Sequence, residues 1–204
     1  MRLYAASSEE TLRARKLLTE WVGEGFLTKE QYRLLEKETV SDLRTTNIFL
    51  RLVLFFFTLI SVGAAAAALF FLVFLSRPTD QTAGIFLLIF AALCYAAAEL
   101  AVSQFRLYRY GIEEALVVCS VGFLCAGMQA AFFSSIRYSS QPDAARSLVP
   151  AAGALLSLWI WRRFGLWYAF LAAMIFALIL PGHWTASHSA QHLTVAGFYA
   201  AALI

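Results

Sequence analysis

Residues 52–75 read LVLFFFTLISVGAAAAALFFLVFL, twenty-four positions without one charged side chain. At about 1.5 Å per helical residue the stretch is ~36 Å long. A bilayer's hydrocarbon core is about 30 Å thick, so one helix crosses it. The run is too long for a strand of an ordinary sheet, and no polar stripe breaks it. This segment decides the fold class: an all-α polytopic membrane protein.

Working outward, Ser76, Arg77, Pro78, Thr79 and Asp80 form a polar turn that ends the first span. The same hydropathy reading predicts spans at about 84–102, 112–136, 144–161 and 164–180. A sixth begins at His192 and stops at Ile204 (192–204). As a helix that last piece covers only ~20 Å, so continuation of the native chain past Ile204 is expected. Arg162 and Arg163 mark a tight turn between the fourth and fifth spans, and 181–192 reads as a loop.

Composition agrees. Of 204 residues, 61% are hydrophobic and 14% charged, with a mean hydropathy of +0.70. Soluble domains are nearer a quarter charged. Residues 1–46 hold sixteen of the twenty-nine charged side chains, eight of each sign. The chain thus divides into a water-facing head, 1–46, and a membrane domain, 47–204. With a net charge of +3 and a balanced head, there is no basic stripe for nucleic acid. Cys94, Cys119 and Cys125 lie in apolar segments and read as small buried hydrophobes. The first apolar run follows a long charged head, which argues for an uncleaved anchor rather than a cleaved signal peptide.

The head reads as two short helices. Ser7 with Glu10, and Thr28 with Gln31, have capping-box spacing. Ala14, Leu18, Trp21 and Val22 share one helical face, and Gly23 and Gly25 supply a stop. Phe26 and Leu27 form an apolar linker; Tyr32 and Leu35 follow on the second helix. No Pro or Gly occurs from Glu30 to Val62, so the second helix is expected to run unbroken into the first span. Two helices this short cannot build a core alone. Leu18, Trp21, Val22, Phe26 and Leu27 are therefore the candidate partner-docking surface.

The positive charge is one-sided. Nine Arg or Lys precede the first span, counting Arg51; two lie in 104–111 and two at Arg162 and Arg163. Only Arg77, Arg137 and Arg146 fall on the other side. The positive-inside rule then puts the N-terminus in the cytoplasm. Trp159, Trp161, Trp167 and Tyr168 flank the Arg162–Arg163 turn, as an interfacial belt should.

At that inner pole Arg51, Glu99, Arg106, Arg109, Glu113, Glu114, Arg162 and Arg163 form a mixed ring of interfacial charge. Glu99 within a span is a functional candidate by default. Its level, about one turn from the inner end, favours charge pairing that pins helix depth. Gln129, an amide inside the third span, is expected to hydrogen-bond a neighbouring helix. The only histidines, His183, His188 and His192, cluster on the outer side; His188 and His192 are four apart, as metal or haem ligands on one helical face would be. Gly63 to Ala68 and Ala151 to Ala154 are small-residue faces suited to close helix or subunit packing. No nucleotide-binding loop, nucleophile elbow or paired-carboxylate pattern occurs, and no cofactor is implied.

Leu18, Trp21-Val22, Glu24-Gly25-Phe26-Leu27-Thr28, Glu30-Gln31 and Leu35 carry a resemblance. This stretch resembles the N-terminal module of bacterial membrane proteins grouped as domain of unknown function family 2157. Those proteins join a short helix-turn-helix to a series of membrane spans. Phe26 stands where the family more often has a smaller aliphatic residue. The resemblance implies a bacterial inner-membrane protein and brings no activity and no catalytic residue.

The expectation is thus a multi-pass protein of the bacterial inner membrane with a cytoplasmic two-helix head and about six spans. Its expected role is non-enzymatic: a structural or accessory subunit whose partners are the lipid bilayer and either another protein or further copies of itself. A small-molecule or ion transporter using Glu99 with Arg51 is the alternative. A metal or haem protein using His183, His188 and His192 is the third reading.

Overall fold

The computed structural model describes residues 6–38, 46–74, 78–107, 109–133 and 147–184, with short helical pieces at 189, 192–193 and 195–197. Among these residues the chain is helical and forms no strand. The elements are α1 (Ala6–Gly23), α2 (Lys29–Glu38), α3 (Ile48–Val73), α4 (Asp80–Ser103), α5 (Ile112–Phe133), α6 (Leu148–Phe164) and α7 (Trp167–Trp184).

Among the described residues three helices are long and apolar enough to cross a membrane: α3, α4 and α5. Burial explains what surrounds them. Ala66 is the one buried residue of α3, while Phe56, Phe57, Ile60, Phe71 and Leu72 are all exposed. A helix presenting five such side chains fits a membrane surrounding better than water. The most extensive packing joins α4 to α5, and α6 to α7 form a second antiparallel pair. A buried core of Ala98, Val102, Val117, Ile160, Phe164, Leu166 and Ala169 ties α4, α5, α6 and α7 together.

Two glycines explain the closeness of α4 and α5. A Cβ at Gly84 would stand 2.2 Å from the Ala131 nitrogen, and one at Gly127 would stand 2.9 Å from the Gly84 oxygen. The backbones approach this closely because Gly84 and Gly127 carry no side chain.

Several boundaries differ from those expected. The head does not run unbroken into the first span: Asn47 is extended, at φ −65° and ψ 150°, and α3 starts after it. Thr46 and Asn47 are both weak helix formers that favour caps. Ser7 lies inside α1 rather than ahead of it. The first span opens at Ile48, four residues early, and takes Arg51 into its first turn. The second opens at Asp80, capped by Thr79, whose hydroxyl accepts the Thr82 N–H at 3.2 Å. Arg162 and Arg163 are not the turn but the last turn of α6, where cations suit the helix dipole. The break is Gly165, left-handed at φ 70°, whose N–H donates to the Trp161 carbonyl at 2.9 Å. The expected loop after Leu180 is helical as far as Trp184, with Pro181 absorbed in the final turn. The turn at 137–143, the start of the fourth span and most of the sixth lie outside the described residues.

Candidate functional site

The head supplies the first candidate surface. Gly25 takes φ 80° at the end of α1, and the Phe26 N–H reaches back to the Trp21 carbonyl at 2.9 Å. With the Gly25 N–H on the Val22 carbonyl at 3.2 Å, this is a Schellman C-cap. Thr28 and Gln31 form the reciprocal capping box: the Gln31 N–H donates to Thr28 Oγ1 at 3.3 Å and the Thr28 N–H to Gln31 Oε1 at 3.0 Å. These two caps set the turn, and α1 and α2 pack on each other. Leu18 is buried, Val22 and Leu27 are half-buried, and Trp21 and Phe26 are exposed. The docking residues thus split into a small internal contact and an outward-facing Trp21–Phe26 surface.

The second candidate is the charged pole. Chain direction brings the N-terminal ends of α3, α5 and α7 beside the C-terminal ends of α4 and α6. The predicted ring residues do gather there, but as two separate networks.

In the first, Arg51 of α3 donates Nε to Glu114 Oε2 at 3.1 Å and Nη2 to Glu114 Oε1. This is a bidentate pair, the stronger geometry for guanidinium and carboxylate. The Glu114 side chain is 6% exposed and that of Arg51 27%. Gly111 makes the approach possible. It sits at φ 100°, and a Cβ there would stand 2.3 Å from the Arg51 carbonyl oxygen. Next to the pair, Glu113 is buried and accepts the Tyr110 N–H on Oε1 at 2.7 Å. Its Oε2 is buried with no hydrogen-bond partner among the described residues.

In the second, Arg163 of α6 donates Nε to Glu99 Oε1 of α4 at 3.0 Å. The same oxygen accepts the Tyr95 hydroxyl at 2.9 Å, and the Tyr95 oxygen accepts Trp159 Nε1–H at 2.7 Å. The Tyr95 and Phe164 rings meet edge to face, with centroids 6.1 Å apart. This chain of contacts bridges α4 and α6.

Glu99 therefore pairs with Arg163, not with Arg51, and the two carboxylates staple different helix pairs. Arg106, Arg109 and Arg162 are exposed at the same pole, the first two at φ 52° in the connection between α4 and α5. Tyr95 belongs to the site although the sequence reading did not single it out, and Trp159, read only as part of the aromatic belt, joins the network through its indole N–H. Gln129 is exposed on α5. Of the small-residue faces, Gly153 packs inside the chain, its Cβ position 3.0 Å from Cys125 Sγ and Phe176. The Gly63–Ala68 face is exposed apart from Ala66.

The histidines are not brought together within the described residues. His183 lies in the last turn of α7, His188 falls outside the described residues, and His192 is exposed. Among the described residues no group of three or more His, Cys, Asp or Glu is placed to hold a metal ion. Cys94 is buried, Cys119 and Cys125 are half-buried, and all three are free thiols. No family model, no curated protein and no solved structure matches this chain.

Proposed function

We propose that the protein is a non-enzymatic structural or accessory subunit of a bacterial inner-membrane assembly. The observation that carries this reading is the division of labour at the inner end. The paired charges are spent on holding helices together, while the head turns Trp21 and Phe26 outward, 46% and 75% exposed. Side chains of that kind are enriched where proteins meet. The exposed Gly63–Ala68 face of α3 is a second place for a neighbouring helix to approach closely. In this reading the N-terminal head is cytoplasmic, and α6 and α7 cross with α3, α4 and α5 as the fourth and fifth of about six spans. The likeness of residues 18–35 to the family 2157 module supports the bacterial inner membrane as its place.

The test is site-specific photocrosslinking from position 26 in native membranes. A discrete crosslinked product, lost when Trp21 is changed to Ala, is expected. Crosslinking to lipid alone overturns the reading.

One observation favours a second reading, an ion or small-molecule transporter: the buried Glu113 Oε2, which has no hydrogen-bond partner among the described residues. An unsatisfied carboxylate within a spanning helix marks ion pathways elsewhere. Under this reading the coupling residue moves from Glu99 with Arg51 to Glu113. Glu113→Gln would abolish flux in reconstituted vesicles and leave the fold intact; a subunit without transport shows no flux in either form.

A further inference from the structure

Glu113 is buried more deeply than any other charged side chain among the described residues, at 1% exposed. It stands in the first turn of α5, between the buried Gly111 and Ala115. Its Oε1 accepts the Tyr110 N–H at 2.7 Å. Its Oε2 has no hydrogen-bond partner among the described residues. A carboxylate shut away from water with one oxygen unserved is strongly unfavourable.

The surrounding charges add to that cost. Glu114, next to it on α5, and Arg51, from α3, are the charges that act on Glu113. Arg51 is already committed, with Nε and Nη2 on the two oxygens of Glu114. Groups on the other packed elements do not restore the balance. Glu99 of α4 and Arg163 of α6 are bonded to each other. Tyr168 of α7, which walls the same cavity as Arg51 and Glu114, is an uncharged phenol. Arg106 and Arg109, in the connection that precedes α5, are exposed, where water and salt screen them. The buried cluster of Arg51, Glu113 and Glu114 therefore sets two carboxyl groups against one guanidinium. Neighbouring carboxylates disfavour each other's ionisation.

The Tyr110 N–H and the positive end of α5 favour an anion at Oε1, yet they leave Oε2 without a donor. Whatever completes the cluster must be small. Glu113 lines neither of the two cavities beside α5. Among the described residues no group of three or more His, Cys, Asp or Glu is placed to hold a metal ion. A proton needs no cavity, and on Oε2 it removes the uncompensated charge.

We propose that Glu113 is a proton-binding site, with its Oε2 protonated at neutral pH while α3 is docked on α5. The neutral acid leaves Arg51 wholly to Glu114. When the proton passes to water, two carboxylates compete for one guanidinium and the clamp between α3 and α5 weakens. The consequence falls on α3, which buries little apart from Ala66. The site rests on neither reading of the function, since an accessory subunit and a transporter would hold the proton alike.

The test is infrared spectroscopy of the full chain in detergent at neutral pH. Wild type is expected to show the carbonyl stretch of a protonated carboxylic acid, shifted by carbon-13 labelling of glutamate. Glu113→Gln should lose that band. Glu99→Gln, in the other network, should keep it. Equilibrium unfolding against pH gives a second measure. In the unfolded chain a glutamate is ionised above about pH 5, so unfolding releases the proton and rising pH favours unfolding. From about pH 6 to about pH 8 the wild-type unfolding constant should rise at least tenfold relative to that of Glu113→Gln. The proposal is overturned by the absence of a glutamic-acid band in wild type, by a band that survives in Glu113→Gln, or by a ratio that does not change with pH. If Glu113→Gln does not fold, the labelled spectra of wild type and Glu99→Gln decide: the band in both supports the site, and its absence from either overturns it.

Discussion

Replacing Gly84 by Ala tests the tightest contact in the molecule. The added Cβ would stand 2.2 Å from the Ala131 nitrogen and 2.6 Å from its Cα and Cβ. Non-bonded carbons settle near 3.5–4.0 Å, so α4 and α5 must part by more than ~1 Å at that end. The neighbour is backbone and has no rotamer to yield. Overpacking of this kind costs about 1–3 kcal/mol, and contact with backbone puts Gly84 toward the upper end. Helix propensity opposes it, since Ala is better than Gly in a helix by up to ~1 kcal/mol. The net expectation is a loss of about 1–2 kcal/mol. Gly63→Ala provides the contrast, because nothing lies within 4 Å of a Cβ there. Only the propensity term remains, so that variant should gain up to ~1 kcal/mol. The two variants therefore move in opposite directions. Equilibrium unfolding in mixed micelles, followed by circular dichroism, reads both. Equal stability of Gly84→Ala and Gly63→Ala would refute the backbone contact between α4 and α5.

Other consequences follow from the charged pole. Glu114→Gln removes the acceptor of a bidentate pair whose carboxylate is 6% exposed. The loss should be about 2–3 kcal/mol in the same unfolding assay, short of a fully buried pair because Arg51 keeps some solvent. The exchange Arg51→Glu with Glu114→Arg should recover part of it; no recovery means that the contact is not a pair. Glu99→Gln should cost less, about 0.5–1 kcal/mol, since both partners of the Arg163 pair are about a third exposed. A loss as large as that of Glu114→Gln would rank the two networks wrongly. Gly111→Ala combines a φ of 100° with a 2.3 Å approach to the Arg51 carbonyl. It should destabilise by about 3 kcal/mol or more, and wild-type stability there would contradict the α3–α5 contact.

Much of this was legible in the sequence where a feature is local. The Thr28–Gln31 box and the Gly25 stop depend on residues three or four apart, and both form as read. Chain direction alone then levels Arg51, Glu99, Glu114 and Arg163 at one pole. Which carboxylate meets which arginine was not legible. These helices are apolar on all sides, so no periodic stripe tells how each is rotated about its axis. Glu99 turned toward α6 and Arg51 toward α5 for that reason, and Tyr95 and Trp159 joined a network that no motif announces. The Gly84–Gly127 contact escaped for a related reason: its glycines lie on different helices and meet only when α4 and α5 pack. The break before Ile48 escaped because two consecutive weak helix formers, Thr46 and Asn47, end a helix less visibly than Pro or Gly.

In the proposed assembly the head is an interface rather than a free-standing domain. The mass of the intact complex, extracted from native membranes in mild detergent, addresses this directly. The prediction is a discrete species heavier than one chain, made of this protein with a stoichiometric partner or with further copies of itself, that falls to the monomer when Trp21 and Phe26 are both changed to Ser. A monomer from the wild-type membrane, before and after crosslinking, would contradict it.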